Sequence, residues 1–298
     1  MAKARELRRR IKSVQSTRQI TRTMEMVSTS KLKRAQDRVV GARPYAQALS
    51  EVIGSLYSPD LAERFPLLRQ PGPSGPRRVA LLLITSNRGL CGAFNANLIR
   101  EARHRMEQHE AAGAAVELHA VGKKGVNFFR FARRAMATQR VDIGDRPTAA
   151  HAAELVDPIL TRFALGEIDA VEVVFAKFNS AVSTPPTTLT VLPVTPPKTP
   201  AAASGDHGPT PVENFILKPS AEAILERLLP LYVHNQIFRA LVETAAAEHG
   251  ARRTAMKNAT DNAGDMLDIL NRTMNRARQA QITQEIAEIV GGAEALQG

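Results

Sequence analysis

The sequence predicts an α/β protein in which two long terminal helices form an antiparallel coiled coil, and the middle of the chain forms a separate domain around a mostly parallel sheet. Three observations support this prediction. Residues 1–40 contain neither Gly nor Pro, and residues 231–298 contain no Pro. Both segments repeat apolar residues at alternating four- and three-residue steps, which places a stripe along one side of a helix. Between them the pattern changes to short apolar runs separated by turns, as strands give.

The first predicted element is a coiled-coil helix over residues 1–57. Its apolar stripe starts before residue 15 and returns in the same heptad register from Leu32 onward. Because a straight helix drifts against a strict seven-residue repeat, the stripe is predicted to move in between. The displaced stripe consists of Ile20, Met24 and Val27. Pro44 is predicted to kink the helix or to end its regular part near Gly41.

A Pro-rich connector over residues 58–77 leads to an α/β domain predicted over residues 78–194. Its first strand, residues 79–84, is a continuous apolar run, as in a buried parallel strand. Further strands are predicted over 116–121, 170–178 and 187–194. Helices to about Gln108, over 126–134 and over 147–165 alternate with them. This alternation predicts a Rossmann-like open sheet.

The last predicted element is a coiled-coil helix over residues 220–298. Six Pro in residues 193–211 predict that a loop at 195–212 is disordered, and residues 214–217 are a candidate edge strand. Ser220 is the predicted N-cap, and Pro230 is predicted to interrupt or kink the first part of the helix. One register runs from Phe238 to Ala277 and then steps to a second apolar set. This set comprises Ile282, Ile286, Ile289, Ala293 and Leu296. Because both terminal helices leave one domain, they are predicted to pair antiparallel.

The positive charge of the chain is concentrated in its first helix. Residues 1–43 contain thirteen Lys and Arg against three acidic residues, which is +10 of the total net charge of +11. Residues 221–298 carry eight basic and ten acidic residues, or −2. A basic helix of this kind suits an acidic environment, namely nucleic acid, an anionic membrane face or acidic protein loops.

Composition excludes several other classes of protein. No run approaches ~18 uninterrupted apolar residues, so no segment is predicted to span a membrane. The first twelve residues are charged rather than apolar, which argues against a secretory signal. No removable leader is expected, because the heptad pattern starts at Leu7. Cys91 is the only cysteine, so neither an internal disulfide nor a Cys-based zinc site is expected, as suits a reducing cytosol.

Candidate binding sites are few, and each has an ordinary structural alternative. The turn with Gly89 and Gly92 follows the first strand, where α/β proteins bind phosphates. It lacks a GxGxxG or GxxxxGK[ST] motif, however, and is more typical of a tight turn. The Gly-Lys-Lys-Gly turn at 122–125 is equally unspecific. Cys91 is either a reactive thiol near a helix start or a small buried residue.

Two features of the last helix also allow two interpretations. Asp261, Asp265 and Asp268 share one helical face, which allows a metal site but more commonly forms a solvated face or pairs with a basic helix. His249 lies within the apolar stripe and is interpreted as a partnered interior histidine. No nucleophile–base pair stands out, so no catalytic, cofactor-binding or metal residues are assigned.

Several blocks of residues, in the same order along nearly the whole chain, resemble the gamma subunit of bacterial F-type ATP synthase. The most specific block is NRARQAQITQE at 275–285. The others are ITRTMEMV at 20–27, RPY at 43–45, SNRGLCGAFN at 86–95, RRTAM at 252–256 and ATDN at 259–262.

The resemblance implies a rotor subunit without chemistry of its own. In that family the terminal helices turn inside a ring of three α and three β subunits. The α/β domain joins the epsilon subunit and the c-ring at the cytoplasmic face of the inner membrane, and proton flow drives the rotation that changes the nucleotide affinity of each β subunit in turn. The residues that match the family's coupling contacts are Met24, Arg278, Gln279, Thr283, Glu285 and Glu288. Met24 matches a position near an acidic β-subunit loop. No cofactor, nucleic acid or small-molecule substrate is implied.

The chain departs from the family pattern at three places. Asn87 and Ala93 stand where the loop after the first strand commonly has Asp and Gly. Lys218 precedes Pro219 where many members have an acid, at the foot that meets the c-ring. The Pro-rich loop at 193–211 looks like an insertion.

Two other function classes stay open on the residues alone. A basic coiled coil could bind nucleic acid, although no aromatic residues interleave with its charges, and the basic residues lie on the coil itself, unlike the basic block of a bZIP protein. A Rossmann-type enzyme would require residues 78–194 to bind a nucleotide.

Overall fold

A computed structural model describes residues 2–56, 64–72, 75–194 and 220–297. The helices are α1 (Ala2–Leu56), α2 (Phe94–Ala111), α3 (Lys123–Phe131), α4 (Ala149–Ala164) and α5 (Ala221–Gln297), with a short 3₁₀ turn at Pro66–Leu68. The strands are β1 (Arg78–Ile84), β2 (Ala115–Val121), β3 (Thr138–Arg140), β4 (Ala170–Ala176) and β5 (Pro186–Leu192). None of the described helices is both long and apolar enough to cross a membrane.

The chain divides into two compact units, and each contains part of both long helices. Unit 1 consists of Met1–Thr29 and Arg252–Gly298, and unit 2 is Ser30–Ala251. The division therefore falls within α1 and α5 rather than at their junctions with the sheet.

Unit 2 is built on a five-stranded sheet in the order β3-β2-β1-β4-β5. β1 pairs parallel with β2 and β4, β2 pairs parallel with β3, and only β5 is antiparallel. The predicted fold class, with two long helices and a mostly parallel sheet, is confirmed. β3 was not predicted, because three residues are too short for a periodic pattern to be recognised.

The two faces of the sheet bury separate apolar clusters, and both clusters include residues of α1 and α5. Leu82 belongs to the first cluster, with α4 residues such as Phe163, while Leu81 and Leu83 belong to the second, with α2 and α3. This alternation follows from the two-residue period of a strand.

The prolines of the two long helices, Pro44 and Pro230, do not end them. α1 continues through Pro44 and α5 through Pro230. A proline inside a helix costs ~3 kcal/mol or more. Here the following turns are buried, with Leu49 and Ile53 after Pro44 and Val233 and Ile237 after Pro230. The prediction that the regular part of α1 ends near Gly41 is wrong, because tertiary packing outweighs the local cost.

In unit 1 the two helices run antiparallel. The Thr260 Oγ1 lies 2.8 Å from the Thr21 Oγ1, and a Cβ on Gly264 would lie 3.7 Å from the Arg18 guanidinium. Residue numbers therefore rise along α5 as they fall along α1.

The predicted move of the α1 stripe is also wrong. Ile20 and Val27 are 59% and 51% exposed, whereas Thr21 and Ser28 are buried. Thr21, Ser28 and Ala35 follow one another at seven-residue steps, so the heptad register is unbroken and hydroxyl side chains occupy its inward positions. The inward hydroxyls are hydrogen-bonded, Ser28 to the Met24 carbonyl at 2.7 Å and Thr21 to Thr260.

The segments that flank the sheet are only partly described. Leu68 of the connector is buried, and the Arg69 Nη2 donates to the Phe163 carbonyl at 3.0 Å, so this part of the connector packs on α4. The predicted N-cap is confirmed, because the Ser220 Oγ accepts the Ala223 N–H at 3.2 Å. The predicted disordered loop at 195–212, the candidate strand at 214–217 and the Lys218–Pro219 pair lie outside the described residues.

Candidate functional site

The last part of α5 extends past the start of α1. Since Thr260 faces Thr21 and the helices are antiparallel, the first residues of α1 lie level with about residue 279 of α5. Residues 282–293 are exposed. Ile282, Ile286 and Ile289 lie on one face at helical spacing and are 48%, 56% and 71% exposed. An apolar stripe of this kind on an isolated helix indicates a protein contact surface. The predicted pairing of the two terminal helices therefore does not extend to this set.

Five of the six predicted coupling residues lie on this end of α5 and are exposed. They are Arg278, Gln279, Thr283, Glu285 and Glu288. The two carboxylates accept hydrogen bonds from side chains one turn earlier, Glu285 from Gln281 at 2.9 Å and Glu288 from Gln284 at 2.8 Å. No acidic side chain in the described part of the chain pairs with Arg278. Its guanidinium therefore offers its donors to a partner.

Met24 lies at a different level of the helix pair. It is half-buried and is three positions from Thr21, on the side away from the start of α1. By the Thr21–Thr260 pairing it lies level with about residue 257, so Arg278 is about 30 Å further along the axis. The predicted coupling residues thus form two separate sets, and the structure does not bring Met24 to the others.

The outer surface of α1 in unit 1 is both basic and apolar. Unit 1 carries fourteen Lys and Arg against eight acidic residues, a net charge of +6. Exposed apolar side chains, 59%, 60% and 51% accessible, stand among the charges at Ile20, Met26 and Val27. Sequence reasoning placed two of these in the coil interior. The signal that would have placed them outside is the unbroken heptad through Thr21 and Ser28.

Hydrogen bonds to neighbouring segments fill the turn after β1, so the turn is not open to a phosphate. The Asn87 Nδ2 donates to the carbonyls of Val141 and Ile143, both at 2.9 Å, and the Asn87 Oδ1 accepts the Lys123 N–H at 2.8 Å. Gly122 has a φ of 96°, and a Cβ there would lie 2.1 Å from the Thr85 carbonyl oxygen. Two tight turns therefore interlock, which favours the structural interpretation of both glycine motifs.

The other candidate residues also take their structural interpretation. Cys91 is buried, and the Asn95 Nδ2 donates to its Sγ at 3.1 Å. His249 is buried, and its Nε2 lies 3.8 Å from the Asp145 Oδ2. Asp261, Asp265 and Asp268 are all exposed. Among the described residues no group of three or more His, Cys, Asp and Glu side chains is arranged to hold a metal ion.

A charged cluster holds β2 to α4 and β3. Arg162 donates to both oxygens of Glu117 at 2.7 and 2.9 Å, and this bond lowers the pKa of Glu117. The His119 Nδ1 lies 2.8 Å from the Thr138 Oγ1, and burial lowers the pKa of His119. The lowered pKa favours the neutral imidazole, and the contact with Thr138 ties β2 to β3.

Two residues that position the helices escaped sequence analysis. Glu243 and Thr244 are 1% and 3% exposed inside α5, and both accept backbone N–H groups from the end of β4. The sequence does contain a signal for burial here. Glu243 and Thr244 lie in a segment that is otherwise rich in Ala, whereas a solvated helix would carry several charges.

Comparisons with known proteins agree along the whole chain. Residues 3–296 match the family described as ATP synthase. The ATP synthase gamma chain of Gemmatimonas aurantiaca is 63% identical over the full length of both chains. The ATP synthase gamma chain of Leptospira biflexa is 45% identical over 99% of this chain and 100% of its own.

Solved structures with the same fold include two chains of the Euglena gracilis mitochondrial ATP synthase. One, from the rotor in rotational state 1, has a TM-score of 0.65 at 20% identity and covers 94% of this chain and 99% of that chain. The other, from the OSCP/F1/c-ring assembly in rotational state 3, has a TM-score of 0.69 at 20% identity, with 99% and 95% coverage. At this identity the likeness shows the fold.

Proposed function

This chain belongs to the family of ATP synthase gamma chains, the central rotor subunits of the F1Fo ATP synthase, and we propose that it couples proton flow to ATP turnover through the exposed surface of unit 1. The observation that supports the proposal most directly is the free end of α5. It presents an apolar face that is exposed among the described residues, with Arg278 and Gln279 level with the start of α1.

The contact surface suits a shaft that must bind and also turn. Apolar contacts between smooth surfaces are not directional, and close charge pairs in partly solvated surroundings contribute only ~1–4 kcal/mol each. Such contacts favour particular angles without locking the rotor. The +6 charge of unit 1 would then attract acidic loops of the surrounding ring.

The partners that we propose are those of the family. Unit 1 would turn inside the ring of α and β subunits, with Arg278, Gln279, Thr283, Glu285 and Glu288 at one level and Met24 at another. The epsilon subunit and the c-ring would bind the α/β domain at the cytoplasmic face of the bacterial inner membrane. Proposed in this role, the chain supplies no catalytic residues, and the nucleotide chemistry belongs to the β subunits.

The sequence also left open a nucleic-acid-binding coiled coil. None of the relatives described above supports that alternative. The basic residues belong to a chain whose relatives at 63% and 45% identity are ATP synthase gamma chains.

The proposal is tested by expressing the chain with its α and β subunits and replacing Arg278. We expect the chain to copurify with both subunits, and Arg278→Ala to lower coupled ATP turnover without changing thermal stability, because Arg278 has no described ion-pair partner inside the chain. Arg272→Ala, an exposed arginine on the same helix, is the control. Normal coupling in the Arg278 variant would contradict the assignment of the site.

A further inference from the structure

One segment of α5 is buried on every side. Each residue from 241 to 250 is buried, whereas an amphipathic helix buries one face only. Leu241 packs in the apolar cluster on one side of the sheet, and Val242 and Ala246 pack in the cluster on the other side, which includes Leu32 and Val39 of α1. We call residues 241–250 the enclosed segment.

The enclosed segment contains polar side chains that bond to the sheet. The Glu243 Oε2 accepts the Phe178 N–H at 3.0 Å, and the Thr244 Oγ1 accepts the Ala176 N–H at 3.3 Å. Both N–H groups follow Val174, the last residue of β4 that pairs with β1. β1 has ended at this level of the sheet. Side chains of α5 therefore accept the two N–H groups that a longer β1 would have paired with.

The Glu243 carboxylate is satisfied on both oxygens. Its Oε1 accepts the Arg239 Nε at 2.7 Å, and the side chain is 2% exposed. A buried carboxylate requires such partners, because an unpaired charge is expensive to keep away from water.

The same segment is held from other directions. A Cβ on Gly250 would lie 3.1 Å from the Ala181 carbonyl oxygen, so the loop after β4 touches the helix backbone. Asp145, in the loop after β3, pairs with Lys31 of α1 and lies beside His249 of α5. The loops that follow β3 and β4 therefore contact the long helices within unit 2.

We propose that the enclosed segment is the joint through which torque passes between the sheet of unit 2 and α5, and that Glu243 is the positioning residue that prevents α5 from turning about its own axis in that joint. The inference rests on the rotor function proposed above. Apolar contacts resist separation but are non-directional, so they resist rotation weakly. A turn of α5 by one residue, about 100°, would carry Arg239 along with Glu243, because both lie on α5, but it would remove the Glu243 Oε2 from the Phe178 N–H and leave both of these buried groups without that hydrogen bond.

The geometric part of the proposal is tested in the full-length chain by hydrogen exchange read by mass spectrometry. In Glu243→Ala we expect the peptide that contains Phe178 to exchange about fivefold faster or more, the equivalent of one lost hydrogen bond. Glu226→Ala, an exposed glutamate on the same helix, should leave that peptide unchanged. An unchanged rate in Glu243→Ala would overturn the proposal.

The mechanical part is tested in the complete ATP synthase in inverted membrane vesicles, by measuring proton pumping per ATP hydrolysed. We expect Glu243→Ala to lose proton pumping while ATP hydrolysis persists. Glu243→Gln should retain part of the pumping, because its amide oxygen still accepts the Phe178 N–H, and Glu226→Gln should match the parent.

The outcomes separate this inference from the rotor function itself. If the Glu243 variants assemble less complex but keep the parent's pumping ratio, Glu243 is only structural and the proposal is overturned. The Gln variant keeps the test decisive should the Ala variant fail to assemble. A parent complex that does not couple at all would instead contradict the proposed function. The hydrogen-exchange measurement does not depend on that function, so it tests the contact of Glu243 by itself.

Discussion

Thr21 of α1 and Thr260 of α5 place their hydroxyl oxygens 2.8 Å apart between the two helices of unit 1, and both residues are 8% exposed. Each hydroxyl also lies within hydrogen-bond distance of a carbonyl on its own helix, Thr21 of Arg18 and Thr260 of Met256. Since a hydroxyl has one hydrogen, one threonine donates to the other, and the second donates to its carbonyl. The pair therefore stays bonded in either direction.

The threonine pair predicts a coupled effect on stability. Thr21→Val or Thr260→Val alone leaves a buried hydroxyl with a weaker set of partners and should lower the free energy of unfolding by about 1–2 kcal/mol. The double variant should cost less than the sum, because two valines satisfy each other by apolar contact. Urea unfolding followed by circular dichroism measures all three. Thr273→Val, an exposed threonine of α5, should change stability by less than about 0.5 kcal/mol. Additive costs would contradict the interhelical bond.

The hydrogen bonds that Asn87 donates predict that a carboxylate at this position destabilises the fold. Asn87→Asp removes the donor to the Val141 and Ile143 carbonyls and sets a negative charge against both. We expect the free energy of unfolding to fall by about 2 kcal/mol or more. Asn97→Asp, whose side chain accepts only from Arg100 on the surface, is the matched control. An Asp variant as stable as the parent would contradict the prediction.

Gly122 predicts a large steric cost. A Cβ at this residue would lie 2.1 Å from the Thr85 carbonyl oxygen, in a backbone with φ of 96°. Gly122→Ala should lower the free energy of unfolding by about 3 kcal/mol or more. Gly41→Ala should have the opposite sign, a gain of about 0.5–1 kcal/mol, since nothing lies within 4 Å of its Cβ and Ala favours a helix. Thermal unfolding of both variants measures these changes. Equal unfolding midpoints for Gly122→Ala and Gly41→Ala would contradict the steric clash at Gly122.

His119 predicts a loss of stability in mild acid. Burial lowers its folded pKa, so below the ordinary value of 6.5 the unfolded chain binds a proton that the folded chain does not. Stability should therefore fall as the pH drops from about 7.5 to 5.5, by at most about 1.4 kcal/mol per pH unit from this residue. His119→Gln should flatten that part of the profile, and the exposed His104→Gln should not. Parallel profiles for parent and His119→Gln would contradict the assignment.

The long helices and the four main strands follow from local patterns, and the direction of helix pairing follows from both helices leaving one domain. Heptad spacing, continuous apolar runs and turn residues depend on neighbours close in sequence, so one chain is enough to read them. The residue block at 275–285 was the most specific part of the family resemblance, and the comparisons confirm that resemblance.

The sequence alone determined the fold class, the concentration of charge on α1 and the family of this protein, because each is a property of residue order. Tertiary structure decided that Thr21 and Ser28 face inward while Ile20 and Val27 face out, that both helices continue through their prolines, and that residues 241–250 are enclosed. Those outcomes depend on residues distant in sequence. Thr260 and Phe178 supply hydrogen-bond partners for the buried Thr21 and Glu243, and apolar packing of the turns after Pro44 and Pro230 keeps the helices continuous.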